Sequence, residues 1–151
     1  MSELIVLDTH IWIWFINQDF DKFPNHWRDK IETSKRVGIS CVSCYEVALL
    51  AQKKEKLQLP CATDEWVQAA LTPVEIEVLP MTPEIALRAV GLSNIHRDPF
   101  DRIIIATTIE HQAYLASVDT KFPNYTELGN YLLKQTLPVN FGQFQQKVYD
   151  V

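Results

Sequence analysis

The stretch LIVLDTHIWIWFI, residues 4–16, decides the fold. Leu4–Leu7 is an unbroken apolar run with no alternation. Such a run suits a strand covered on both faces, as in parallel sheets. Asp8 ends it, and Ile11, Trp14 and Phe15 follow at helical spacing. A strand passing straight into a helix opens a βα unit. Three more strands are predicted downstream: "VGIS" (37–40), Ile76–Leu79, and "AYLASVD" (113–119), ending at Asp119. Helices are predicted between them. Trp27 and Ile31 stand i,i+4 with charges between, marking a surface helix. A helix from Cys44 through Lys54 would be capped by Ser43, with Glu46 at its third position in a capping-box pattern. "LPCATDEWVQAAL" (59–71) holds another, with Asp64 as cap. Pro83 and Pro99 suit first helical positions, with Asp98 capping the second of these helices and Ile103–Ala106 forming its body. Strands alternating with helices predict an α/β fold with a mainly parallel sheet.

Composition bounds the rest. A chain of 151 residues fits one domain, here residues 1–151. With 47% hydrophobic and 22% charged residues it is globular rather than disordered. A net charge of −5 excludes a generally basic nucleic-acid-coating protein. It leaves a nucleic-acid enzyme open, because acidic metal ligands enter that sum. Cys41 and Cys44 mimic a CxxC, but no second pair completes a zinc site. With Cys61 they read as free thiols of a reducing compartment. No apolar run approaches the roughly 20 residues of a membrane span, and no basic segment precedes the first one. A cytoplasmic protein is expected.

The acids fall in a pattern. Asp8 ends a strand, Glu46 opens a helix, Asp98 and Asp101 open another, and Asp119 ends the last strand. In open parallel sheets, strand carboxyl ends and helix N-termini share the edge where ligands bind. Glu75, Glu77 and Glu110 do not share this placement. Any one such acid is ordinarily a cap or turn residue. Several together repel: two carboxylates ~5 Å apart do so by about 3 kcal/mol at an effective dielectric near 20. Either protons or a hard cation must compensate. Oxygen donors without matching Cys or His point to Mg²⁺ or Mn²⁺.

"LIVLDTHIWIW", "ISCVSCYEVALL", "HRDPFDRIIIAT" and "LASVDTKF" resemble, in this order and spacing, the successive motifs of PIN-domain proteins. The likeness is to VapC-like toxins that carry a "DPFDR" segment, and it runs from Leu4 to Phe122. It implies a three-layer α/β/α sandwich and a metal-dependent ribonuclease. It implies that Asp8, Glu46, Asp101 and Asp119 hold Mg²⁺ or Mn²⁺. Asp98 is then either a further ligand or only the helix cap. Thr9 is placed to hydrogen-bond near the first acid, and Ser117 to orient a carboxylate or touch a phosphate. The resemblance also implies an RNA substrate, an antitoxin partner and a homodimer. The tail from residue 123 lies outside it.

Other residues carry weaker expectations. His10 and His96 read as structural more readily than as substrate contacts. Arg97, Arg102, Lys53, Lys54 and Lys56 are candidate phosphate contacts, and Arg102, beside Asp101, is the first choice. Trp12, Trp14 and Phe15 suit a buried stripe better than a base-stacking platform. A haloacid-dehalogenase-like phosphatase needs a second Asp two residues after the first, where this chain has His10. A receiver domain needs paired acids before the end of the first strand and a Lys on a late strand, and neither is present. A catalytically silent PIN-like module binding RNA or protein remains the alternative; occupation of all four acidic positions ranks it second.

Overall fold

The computed structural model describes residues 3–53 and 55–136. Four parallel strands form one sheet in the order β3-β2-β1-β4: β1 Leu4–Leu7, β2 Arg36–Ser40, β3 Glu77–Leu79 and β4 Tyr114–Ala116. Helices α1 (Thr9–Ile16) and α2 (Asn25–Thr33) connect β1 to β2. Helices α3 (Cys41–Gln52) and α4 (Thr63–Ala70) connect β2 to β3, and α5 (Pro83–Gly91) and α6 (Pro99–Glu110) connect β3 to β4.

Alternation along β1 divides two cores. Ile5 and Leu7 join Trp12, Trp27, Val47 and Trp66 on one face. Leu4 and Val6 join Leu79, Ile104, Ile105 and Leu115 on the other. Both faces of the strand are therefore covered, which accounts for its unbroken apolar run. The expected three-layer α/β/α sandwich is the observed architecture. Trp12 and Phe15 are buried in the first core and Trp14 packs against it, so this stripe is core.

Several boundaries differ from expectation. Helix α3 starts at Cys41, and Ser40 caps it by accepting from the Val42 N–H. Ser43 is not the cap: it is buried, its hydroxyl 2.9 Å from that of Thr9. Glu46 thus lies in the second turn, with no capping box. Helix α4 follows Ala62, so Asp64 sits in its first turn instead of capping it. Strand β4 stops at Ala116, before Asp119, because Ser117 and Asp119 turn the chain: the Asp119 N–H donates to Ser117 Oγ and the Lys121 N–H to Asp119 Oδ1. Cys41 and Cys44 are half-buried free thiols and Cys61 is exposed.

Part of the tail packs locally. Phe122, Tyr125 and Leu128 are buried in the second core. Leu132 bridges in parallel to Leu115, and the Trp27 indole N–H donates to the Lys134 carbonyl. Lys54 and the tail from residue 137 onward lie outside the described residues. Among the described residues, no helix is long and apolar enough to cross a membrane.

Candidate functional site

The strand order reverses between β1 and β4, since β2 and β3 extend from one side of β1 and β4 from the other. Ligand crevices form at such a reversal, beyond the carboxyl ends of the strands. Asp8 stands there. Its backbone N–H continues the ladder to the Ala116 carbonyl, and its carboxylate is held at both oxygens. Oδ1 accepts the Thr9 N–H at 2.8 Å and Oδ2 accepts the Ser117 hydroxyl at 2.7 Å. The same Ser117 oxygen accepts the Asp119 N–H, which links the first acid to the last. Thr9 and Ser43 join α1 to α3, the helix that carries Glu46. Glu46 Oε1 is buried without a hydrogen-bond partner. Asp101 lies in the first turn of α6, its side chain 17% exposed, and Asp119 closes the rim at 31%.

These groups perturb one another. Burial pushes the Asp8 carboxyl up, against the pull of its bonds to Ser117 and Thr9. Burial also raises Glu46, while the neighbouring Thr9 hydroxyl works the other way. Asp101 is pushed up to about 8, by burial first and then by the charges of Asp8, Asp98, Glu46 and Asp119. Acids from four separate segments thus act on one centre, and the nearby His10 offsets Asp8 and Glu46 only in part. A buried acceptor lacking a donor and a carboxyl lifted by burial and by its neighbours both fit a bound cation. The donors are oxygens, with one imidazole at the edge, so the set suits a hard divalent ion.

A pH dependence follows. The Asp101 pKa is raised from 3.8 to about 8 on folding. Between those values the folded chain holds a proton that the unfolded chain has lost, so stability falls as pH rises. In chelator, Asp101→Asn is expected to flatten this slope and raise Tm at pH 8 by about 3–6 °C. Thermal unfolding of parent and variant from pH 5 to 8 measures it. Equal slopes would place Asp101 outside the cluster.

Other predicted residues fall elsewhere. Asp98 is exposed and caps α6 by accepting the Phe100 N–H, as expected of a cap, while its charge reaches Asp101 and Glu46. Arg102 is not turned to substrate. Its guanidinium donates to the carbonyls of Ala89, Val90, Leu92, Ser93 and His96. Five donors meet five acceptors, which leaves none for a phosphate. The expectation of a phosphate contact is corrected to that of a clamp on the loop between α5 and α6. His10 is exposed beside Trp14. Glu77 and Glu110, set apart by their placement in the sequence, pair with Arg36 and Arg88. His96, read in the sequence as structural, is the residue that reasoning undervalued. Its imidazole reaches Asp101 and Asp119. Its position just before the α6 cap was the available signal.

A sandwich with an acidic centre at the β1/β4 reversal defines the class of protein: a parallel α/β domain that gathers carboxylates at the carboxyl edge of its sheet. The PIN domain family matches residues 5–128, and the chain belongs to that family. Ribonuclease VapC22 of Mycobacterium tuberculosis is 29% identical over 122 residues, spanning 80% of this chain and 91% of that protein. The fold is shared with VapBC2 of Rickettsia felis, solved bound to a promoter DNA fragment. That match has 16% identity and a TM-score of 0.58, and covers 82% of this chain and 94% of the other. It is shared also with a toxin–antitoxin complex from Klebsiella pneumoniae, at 20% identity and a TM-score of 0.56, covering 89% and 99%.

Proposed function

We propose that this chain is a divalent-cation-dependent endoribonuclease and the toxin of a toxin–antitoxin pair. One observation carries the reading: Asp8, Glu46, Asp101 and Asp119, from four separate segments, converge on one centre where burial and mutual repulsion raise Asp8, Glu46 and Asp101. Membership of the PIN family and the likeness to a protein named as a ribonuclease support it. The four acids hold Mg²⁺ or Mn²⁺, and the chain acts as one domain over residues 1–151. Its substrate is RNA. An antitoxin partner is supported by the two toxin–antitoxin assemblies that share the fold. The toxin acts in the cytoplasm as a homodimer, as the family resemblance implies.

The ion would supply Lewis-acid stabilisation of the phosphodiester and a lowered pKa for the attacking water. The chain supplies the setting. Thr9 N–H and the Ser117 hydroxyl favour the ionised Asp8 and fix its orientation. Asp101, at a helix N-terminus, brings the carboxyl that must lose its proton when the ion binds. Asp119, beside His96, stays partly exposed to solvent.

Cleavage of a mixed RNA pool is the test, run with Mg²⁺, with Mn²⁺ and with chelator. Internal cuts are expected with either ion and none in chelator. Cuts that persist in chelator would overturn the cation dependence. Retained RNA with no cuts in either ion would favour the silent binding module.

A further inference from the structure

We infer that His96 is a nitrogen ligand of this centre, binding the same cation as Asp101 and Asp119, and that it shifts the site's preference from Mg²⁺ towards first-row transition ions such as Mn²⁺. The inference rests on the proposed reading that the acids hold a cation. The four acids alone would make an all-oxygen site. His96 changes its chemistry.

The geometry comes first. His96 Nε2 lies 3.3 Å from Asp119 Oδ2, and Nδ1 lies 3.8 Å from Asp101 Oδ2. One donor atom from each of the three residues falls within 4.8 Å of the other two. Although a carboxylate oxygen stands so close, Nε2 makes no hydrogen bond, and the atom is buried. A buried ring nitrogen that faces a carboxylate without an aligned hydrogen bond is incompletely satisfied. Two donors bound at ~2.1 Å and at right angles on one ion stand ~3.0 Å apart. The Nε2–Oδ2 separation is close to that spacing, and the missing hydrogen-bond alignment is what neighbouring ligands on one ion show.

The ring is also held in place. The His96 backbone is fixed on both sides: its amide N–H donates to the Tyr125 hydroxyl at 2.8 Å, and its carbonyl accepts from Arg102 at 3.1 Å. The imidazole stacks on Tyr125 at 23° and meets Phe122 edge-on. Both aromatic residues are buried in the second core. Two ring contacts thus restrain the imidazole and two backbone bonds its attachment, and a ligand gains from being fixed before the ion arrives. Imidazole favours transition ions, while Mg²⁺ prefers carboxylate, carbonyl and water oxygens.

Pulsed electron paramagnetic resonance on the full chain with one equivalent of Mn²⁺ tests this. The unlabelled protein is expected to show ¹⁴N coupling, replaced by ¹⁵N coupling when only histidine is ¹⁵N-labelled. The coupling should vanish in His96→Ala and persist in His10→Ala, which removes the imidazole that acts on Asp8. By calorimetry, His96→Ala should weaken Mn²⁺ binding by about 10–100-fold and Mg²⁺ binding by less than about threefold. The labelling arm needs no variant, so a fold defect in His96→Ala would not mask the answer. Bound Mn²⁺ without histidine coupling, or coupling that survives His96→Ala, would overturn the inference and leave the acidic site standing. Absence of Mn²⁺ binding to the parent chain would overturn both.

Discussion

Asp8→Asn is expected to lower cation-dependent RNA cleavage by about 10³-fold or more, equivalent to about 4 kcal/mol of barrier. The substitution preserves shape and removes charge. Asp8 is buried at the end of the central strand, with Thr9 N–H on one oxygen and the Ser117 hydroxyl on the other. In the variant the amide oxygen can keep the Thr9 bond, and the Ser117 hydroxyl can rotate to accept from the amide nitrogen. The fold has no need of the charge, since burial already disfavours it. Tm in chelator should therefore hold or rise while cleavage collapses. Calorimetric Mn²⁺ titration beside the cleavage assay separates the causes: loss of ion binding and cleavage together marks a ligand. Cleavage within tenfold of the parent would remove Asp8 from the centre. A fall in Tm matching the loss of activity would make it a structural residue only.

Much of this was legible in the sequence, for a physical reason. Asp8 follows four apolar residues that only a doubly covered strand accommodates, so its place at the strand's carboxyl end follows from the pattern. Pro99 and Asp98 announce the start of α6, which fixes Asp101 within its first turn. What the sequence hid is long-range. Ser40 and Ser43 are both plausible caps by chain position. The choice between them depends on Thr9, whose hydroxyl lies 34 residues away in sequence and engages Ser43. The expected strand over 113–119 runs one residue before and three beyond β4, because Val118 prolongs the apolar pattern while the turn is made by the Ser117 hydroxyl on the Asp119 backbone. The one local sign at His96 is its position just before the α6 cap, while its backbone is fixed by Tyr125, 29 residues downstream. Residue identity predicts elements; contacts between distant segments decide which polar atoms point into the site.

Arg102 is where this distinction has its largest consequence for stability. Arg102→Ala is expected to destabilise the fold by about 3–5 kcal/mol, because hydrogen bonds to charged groups contribute about 1.5–3 kcal/mol each and five such bonds are not additive. That is a large share of a typical stability of about 5–15 kcal/mol. Tm should fall by about 10 °C or more. Arg102→Lys should rescue little: an ammonium carries three donors on a flexible stem, whereas the planar fork meets carbonyls from Ala89 to His96 at once. A phosphate contact would behave in the opposite way. Its loss would leave Tm unchanged, weaken RNA binding and lower the salt dependence of that binding. Thermal unfolding and a salt titration of RNA binding in the same variants therefore decide between clamp and contact. An unchanged Tm with a reduced salt slope would restore the substrate role. A lowered Tm in both variants, with the slope preserved in the folded fraction, would establish that the arginine beside Asp101 serves the site by holding the loop that presents His96.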